Sequence, residues 1–222
     1  GLGSIENWRA FPDMLADDLG LGAFAYDRLG YGRSEGRDPW PDDFMAQSGK
    51  RLPLVLGAAE IDDFILVGHS DGATIALLFA AQYHDRALSS VIEAPHVFAE
   101  TVTIEGVATL TERYQRDATL QSKLARIHTD PDGAFYAWST PWLSSQFRTW
   151  SIADQLSRLR SPLLVIQGAN DPFGSIAHAE LIAGAAEKYT TVAELPGCGH
   201  NPHREEPATT IQLAAEFLMH DH

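Results

Sequence analysis

The residues best suited to chemistry in this chain gather around Ser70. Residues 64–73 read Phe64-Ile65-Leu66-Val67-Gly68-His69-Ser70-Asp71-Gly72-Ala73. A buried, strand-like run leads into Gly-x-Ser-x-Gly, and an apolar helical pattern follows. A serine at such a tight strand-to-helix turn has a strained backbone, and its hydroxyl is pushed out at the strand's end. The turn leaves so little room that its flanking positions should carry almost no side chain, hence Gly68 and Gly72. The following helix aims its free amides and positive dipole end at the same point, which favours an oxyanion. A serine hydroxyl is a weak nucleophile at neutral pH and needs a base, and the base needs an orienting acid. Two later loops supply them, Gly168-Ala169-Asn170-Asp171 and Pro196-Gly197-Cys198-Gly199-His200. Their order after Ser70, acid and then histidine, is the one this type of turn requires.

The elements that must position these residues can be read from the hydrophobic pattern. Short apolar runs at 22–27, 63–67, 89–93, 162–167 and 190–195 predict strands. Asp171 and His200 each follow one of these, just beyond its C-terminal end, where open α/β sheets place their sites. Helical patterns occupy 12–19, 42–59, 72–83, 176–188 and 207–219. Pro12 stands at the first turn of its helix and Gly20 just past the end. Pro53 should kink or split the second helix. Residues 72–83 are apolar nearly all round, which predicts a buried helix. The alternation predicts an α/β fold with three αβα layers, a mostly parallel sheet and right-handed crossovers. Residues 99–150 break the rhythm with helical patterns and the aromatics Phe135, Tyr136, Trp138, Trp142, Phe147 and Trp150. They predict a helical cap on a core made of 1–98 and 151–222. Trp138, Trp142, His96 and Gly3 are the candidates to line a pocket beneath it.

Composition narrows the function classes. The chain has 222 residues and a net charge of −14, which disfavours nucleic acid and anionic membranes as partners. A small-molecule substrate is the expected partner. The longest apolar stretch, 73–81, is too short to span a bilayer. The single cysteine, Cys198, excludes an internal disulfide and points to a reducing, cytoplasmic setting. Cys198, His200 and His203 lack a fourth ligand, so no metal is expected. Gly30-x-Gly32 lacks the third glycine and following helix of a dinucleotide loop, so no cofactor is expected.

Taken together, Gly1-Leu2-Gly3 with Trp8, Asp27-Arg28-x-Gly30-x-Gly32-x-Ser34, Gly68-His69-Ser70-Asp71-Gly72, Gly168-x-x-Asp171 and Gly199-His200 resemble the α/β-hydrolase superfamily along essentially the whole chain. Within it, the chain resembles the capped carboxylesterases, enol-lactonases and carbon–carbon bond hydrolases. The resemblance implies a Ser70-Asp171-His200 triad and hydrolysis of an ester, lactone or activated carbon–carbon bond through an acyl-enzyme. It implies oxyanion donors at the Asp71 and Leu2 amides, with Gly3 next. It also implies a rival acid, Glu93, whose strand-end position carries the acid in some relatives. His69 should turn away from Ser70, His203 should bond a loop, and Asp27 and Arg28 should brace their own loop. Arg113, Arg116, Lys123, Arg126 and Arg148 are candidates to bind a substrate carboxylate. A triad-retaining small-molecule receptor with little turnover is the alternative reading. The family pattern places a strand before Gly1, lying between 22–27 and 63–67. This predicts a longer protein, with about 20–35 further N-terminal residues.

Overall fold

The computed structural model describes residues 1–36 and 43–220. Four strands, β1 (Phe64–His69), β2 (Ala87–Glu93), β3 (Leu163–Gly168) and β4 (Thr190–Leu195), pair in that order. Every pairing is parallel. The helices are α1 (Ile5–Trp8), α2 (Phe11–Leu19), α3 (Phe44–Ala58), α4 (Asp71–Gln82), α5 (Thr101–Arg116), α6 (Ala118–Ile127), α7 (Pro131–Leu143), α8 (Ala153–Leu156), α9 (Ala177–Ala185), α10 (Pro202–Glu205) and α11 (Pro207–His220).

Strand alternation feeds two cores. Ile92, Leu163 and Val165 pack with α3, α4 and α9 on one face of the sheet. Val91, Leu164 and Ile166 pack with α2 and α11 on the other. The sandwich has the expected three layers. Helix α4 is buried on nearly every side, as its composition predicts. No helix among the described residues is long and apolar enough to cross a membrane.

Two expectations fail. Residues 22–27 form no strand and join no ladder. Being a strand is a property of a pair, because the backbone groups must find partners across the ladder. Among the described residues β1 has a single neighbour, β2, so 22–27 has no ladder to join. Pro53 does not split its helix, which runs unbroken from Phe44 to Ala58. Tertiary packing of Leu52 and Leu56 against Phe79 outweighs the lost backbone bond. Asp42, where that helix was expected to begin, lies outside the described residues.

Residues 99–150 carry α5, α6 and α7. The segment leaves and re-enters the core at adjacent points. Ala99 N–H donates to Trp150 O at 2.8 Å, and Ile152 N–H to Val97 O at 2.8 Å. Glu100, at the exit, accepts from Ser175 N–H at 3.0 Å and Ser175 Oγ at 2.7 Å. Those bonds tie the base of the helical segment to the loop that follows Asp171.

The turn at Ser70 shows which glycine the fold demands. A Cβ on Gly68 would lie 2.6 Å from Gly72 O and 2.8 Å from Ala73 Cα, while a Cβ on Gly72 would meet nothing within 4 Å. Close approach therefore constrains Gly68 alone, and the expected need at Gly72 is not borne out. Gly68→Ala should cost about 1–3 kcal/mol through overpacking. Gly72→Ala should change stability by no more than about 1 kcal/mol, since Ala suits a helix. Urea unfolding of the two variants measures this, and equal losses would contradict it.

Candidate active site

Ser70 sits between β1 and α4 with φ 57° and ψ −125°. This is a left-handed conformation that a non-glycine residue holds only under constraint. The constraint is visible. Ser70 N–H donates to Glu93 O at 2.9 Å, tying the turn to the end of β2. Ser70 is 6% exposed, yet it lines the cavity above the sheet.

The loops after β3 and β4 bring the other two residues to it. Ser70 Oγ and His200 Nε2 are 3.0 Å apart. His200 Nδ1 lies 2.9 and 2.8 Å from the two oxygens of Asp171. The Asp171 side chain is 1% exposed. Its Oδ1 also accepts from Phe173 N–H at 2.8 Å, and its Oδ2 from Gln167 Nε2 at 3.0 Å. These donors hold the carboxylate still and keep it an acceptor towards Nδ1, so Nε2 is left to take the serine proton. The two loops approach closely: a Cβ on Gly168 would lie 2.0 Å from Gly199 O.

Glu93 does not reach His200. Its Oε2 accepts from His203 N–H at 3.0 Å and from His203 Nδ1 at 2.8 Å. Both side chains are buried, 0% and 3% exposed. The expected loop hydrogen bonder is thus the partner of the rival acid. His69 turns away from Ser70, and its Nε2 donates to the His200 carbonyl at 2.6 Å. Burial, with His200 adding to it, holds the His69 ring well below the ordinary histidine range, so the ring stays neutral.

The segment before α1 is held just as firmly. Arg28 donates to Gly1 O at 2.8 Å, and His128 Nε2 to Leu2 O at 3.1 Å. Each peptide is planar and trans, so fixing these carbonyls also fixes the opposed N–H groups of Leu2 and Gly3. Asp27 braces the same segment, accepting from Ile5 N–H at 2.8 Å and Arg33 N–H at 2.9 Å. Sequence reasoning anticipated Asp27 and Arg28 as loop braces but missed His128. Nothing in its local pattern links it to Leu2, 126 positions earlier. The Asp71 amide is the first of α4 and has no acceptor within that helix.

Leu2, Gly3, Asp71, His96, Trp138 and Trp142 all line one cavity with Ser70 and His200. Its volume is about 970 Å³, and it continues past Ser70 and His200 along β1 and residues 21–26. Val107, Leu110 and Leu124 of the helical segment add an apolar wall. His96 stacks 5.8 Å from His200 and meets Trp142 edge-on at 5.1 Å. Burial keeps its ring neutral as well. Phe135 and Phe147 pack in the core instead.

The five basic candidates are not in this cavity. Arg113, Arg116, Lys123, Arg126 and Arg148 are all exposed on the helical segment, and Arg113 pairs with Asp117 at 3.0 Å. Helical periodicity puts them on the solvated face because the apolar stripe faces inward. Cys198 is buried, and burial pushes its thiol up to about 11. Among the described residues no three His, Cys, Asp or Glu side chains form a metal-binding group.

The chain is similar to the proline iminopeptidase of Lactobacillus helveticus (strain DPC 4571), 21% identical over 264 residues that cover 100% of this chain and 88% of that protein. It is 26% identical to the human serine hydrolase BPHL over 211 residues, covering 88% of this chain and 68% of that one. In structure it resembles a thermophilic esterase from Thermogutta terrifontis, with a TM-score of 0.70 at 19% identity, over 96% of this chain and 86% of the other. The model of the alpha/beta hydrolase family matches residues 1–213, and the chain belongs to that family.

Proposed function

We propose that this chain is a serine hydrolase that cleaves an ester, lactone or activated carbon–carbon bond of a small apolar substrate, with a carboxylic ester favoured. The observation that carries the reading is the continuous hydrogen-bonded series from Ser70 Oγ through His200 to Asp171, opening on an apolar cavity.

His200 Nε2 takes the Ser70 proton as Oγ forms its bond to the substrate carbonyl carbon. The carbonyl π electrons move to oxygen. That oxyanion rests on the Asp71 and Leu2 amides and the N-terminal end of α4. The intermediate collapses, the leaving-group bond breaks, and His200 returns the proton to the departing oxygen. Water then adds to the acyl-enzyme, giving His200 its proton, and Ser70 leaves with that proton restored. Asp171 keeps the imidazole in the right tautomer and stabilises its cationic form. Helices α5–α7 act as a cap in this reading, with Trp138, Trp142 and Val107 gripping the apolar part of the substrate. Hydrolysis in this scheme needs no cofactor.

The test is turnover of short p-nitrophenyl esters. Ser70→Ala should lower kcat/KM by about three decades or more. A variant that keeps full activity would sink the proposal, and a single slow turnover by the wild type would favour a receptor. Asp171→Asn should also lower kcat by about three decades or more. Glu93→Gln should instead lower the unfolding midpoint and leave kcat within about tenfold, because it weakens a buried pair away from the nucleophile. The opposite pattern would reassign the acid.

A further inference from the structure

One histidine at the cavity has a ring that no hydrogen bond holds. His69 bonds the His200 carbonyl, and His128 bonds Leu2 O. His178 Nδ1 accepts from Val97 N–H at 3.3 Å, His200 meets Asp171, and His203 meets Glu93. Each of these bonds fixes a ring orientation and a tautomer. His96 is 3% exposed and lines the cavity with Ser70. Among the described residues its ring makes no hydrogen bond, and its Nδ1 is buried without a partner. Only other rings flank it, His200 at 5.8 Å, His178 at 5.5 Å and Trp142 at 5.1 Å between centroids. Its backbone is firmly placed, because His96 O accepts from Thr74 Oγ1 in α4 at 2.6 Å. Trp142 repeats the pattern. It is 1% exposed and lines the same cavity, and its indole Nε1–H is buried with no acceptor.

A buried polar group left without a partner is unfavourable, and here two stand edge to face. A site that needed only bulk would be served by phenylalanine, as it is at Phe147, 4.6 Å from Trp142. An imidazole that no bond holds can turn about its broad second torsion and present either nitrogen to a ligand. A neutral imidazole carries one N–H and one lone pair, and the indole adds a second N–H. A hydroxyl matches that set, since it accepts from an N–H and donates to a lone pair. We propose that His96 and Trp142 together hydrogen-bond a hydroxyl group on an otherwise apolar substrate. This makes hydroxylated esters or lactones the preferred substrates over their hydrocarbon analogues. Burial, with His200 and His178 adding to it, keeps the His96 ring neutral, which suits an uncharged group. His96 stands beside the imidazole that exchanges the proton, so the hydroxyl lies near the scissile bond. The apolar wall of Val107, Leu110 and Leu124 receives the rest of the substrate. An analogue without the hydroxyl leaves both side chains unpaired, so the site discriminates by omission as much as by attraction.

The inference rests on the serine-hydrolase reading, and the experiment separates the two. Wild-type kcat/KM is measured in two arms. The acyl arm compares p-nitrophenyl butanoate with p-nitrophenyl 3-hydroxybutanoate. The alcohol arm compares propyl phenylacetate with 2-hydroxyethyl phenylacetate, followed by release of acid. The hydroxylated ester should be favoured by about tenfold or more in one arm, which also identifies the side of the substrate that carries the group. His96→Phe keeps a ring without its nitrogens and should shrink that ratio to within about threefold, whatever its absolute rate. His96→Gln restores a donor and an acceptor and should recover part of the ratio. Trp142→Phe should reduce the ratio as well. A ring needed only for packing would leave it unmoved. Equal kcat/KM within both arms overturns the hydroxyl site and leaves the hydrolase reading standing. So does a preference that persists unchanged in His96→Phe. No turnover of any ester, together with no labelling of Ser70 by a fluorophosphonate, overturns the hydrolase reading and the hydroxyl site with it.

Discussion

The structure depends on one strained turn. Ser70 is held at φ 57° where β1 and α4 meet so closely that a Cβ on Gly68 would lie 2.6 Å from Gly72 O. A conformation of this kind costs on the order of 1–3 kcal/mol and persists only where its surroundings over-determine it. Here the surroundings are the buried packing of α4 and the bond from Ser70 N–H to Glu93 O. In this conformation Ser70 Oγ lies 3.0 Å from His200 Nε2.

Glu93 joins that turn to the rest of the site. Its backbone oxygen holds Ser70, and its carboxylate holds His203 in α10. His203 packs 4.9 Å from His69, and His69 donates to the carbonyl of His200. The base of the series Ser70–His200–Asp171 is therefore anchored from behind by a second carboxylate–histidine pair. The two pairs have different surroundings. Asp171–His200 reaches Ser70, whereas Glu93–His203 packs among Trp8, Phe11 and His69. One pair meets the Ser70 hydroxyl and the other holds the scaffold.

The cavity is assembled from parts that are far apart in sequence. The Gly1–Gly3 segment is fixed by Arg28 and by His128, which belongs to the helical segment. The neck at Ala99 and Ile152, together with the Glu100–Ser175 bonds, fixes where that segment stands relative to Ser70 and His200.

Local signals in the chain determined a great deal. The strand–Gly-x-Ser-x-Gly–helix pattern marked Ser70, the strand-end loops marked Asp171 and His200, and the apolar alternation marked four strands that all pair in the structure. These are readable because turn chemistry and side-chain periodicity act within a few residues. Other features could only be decided by the folded chain. One was which carboxylate reaches His200, since Asp171 and Glu93 both follow strands and only the loop paths separate them. Another was that 22–27 lacks a ladder, because hydrogen-bond pairing between strands is not a property of either strand alone. The outward turn of Arg113, Arg116, Lys123, Arg126 and Arg148 and the reach of His128 to Leu2 belong here too. Each depends on how distant segments are oriented in space, and pairwise contact over such separations leaves no local pattern for a single sequence to display.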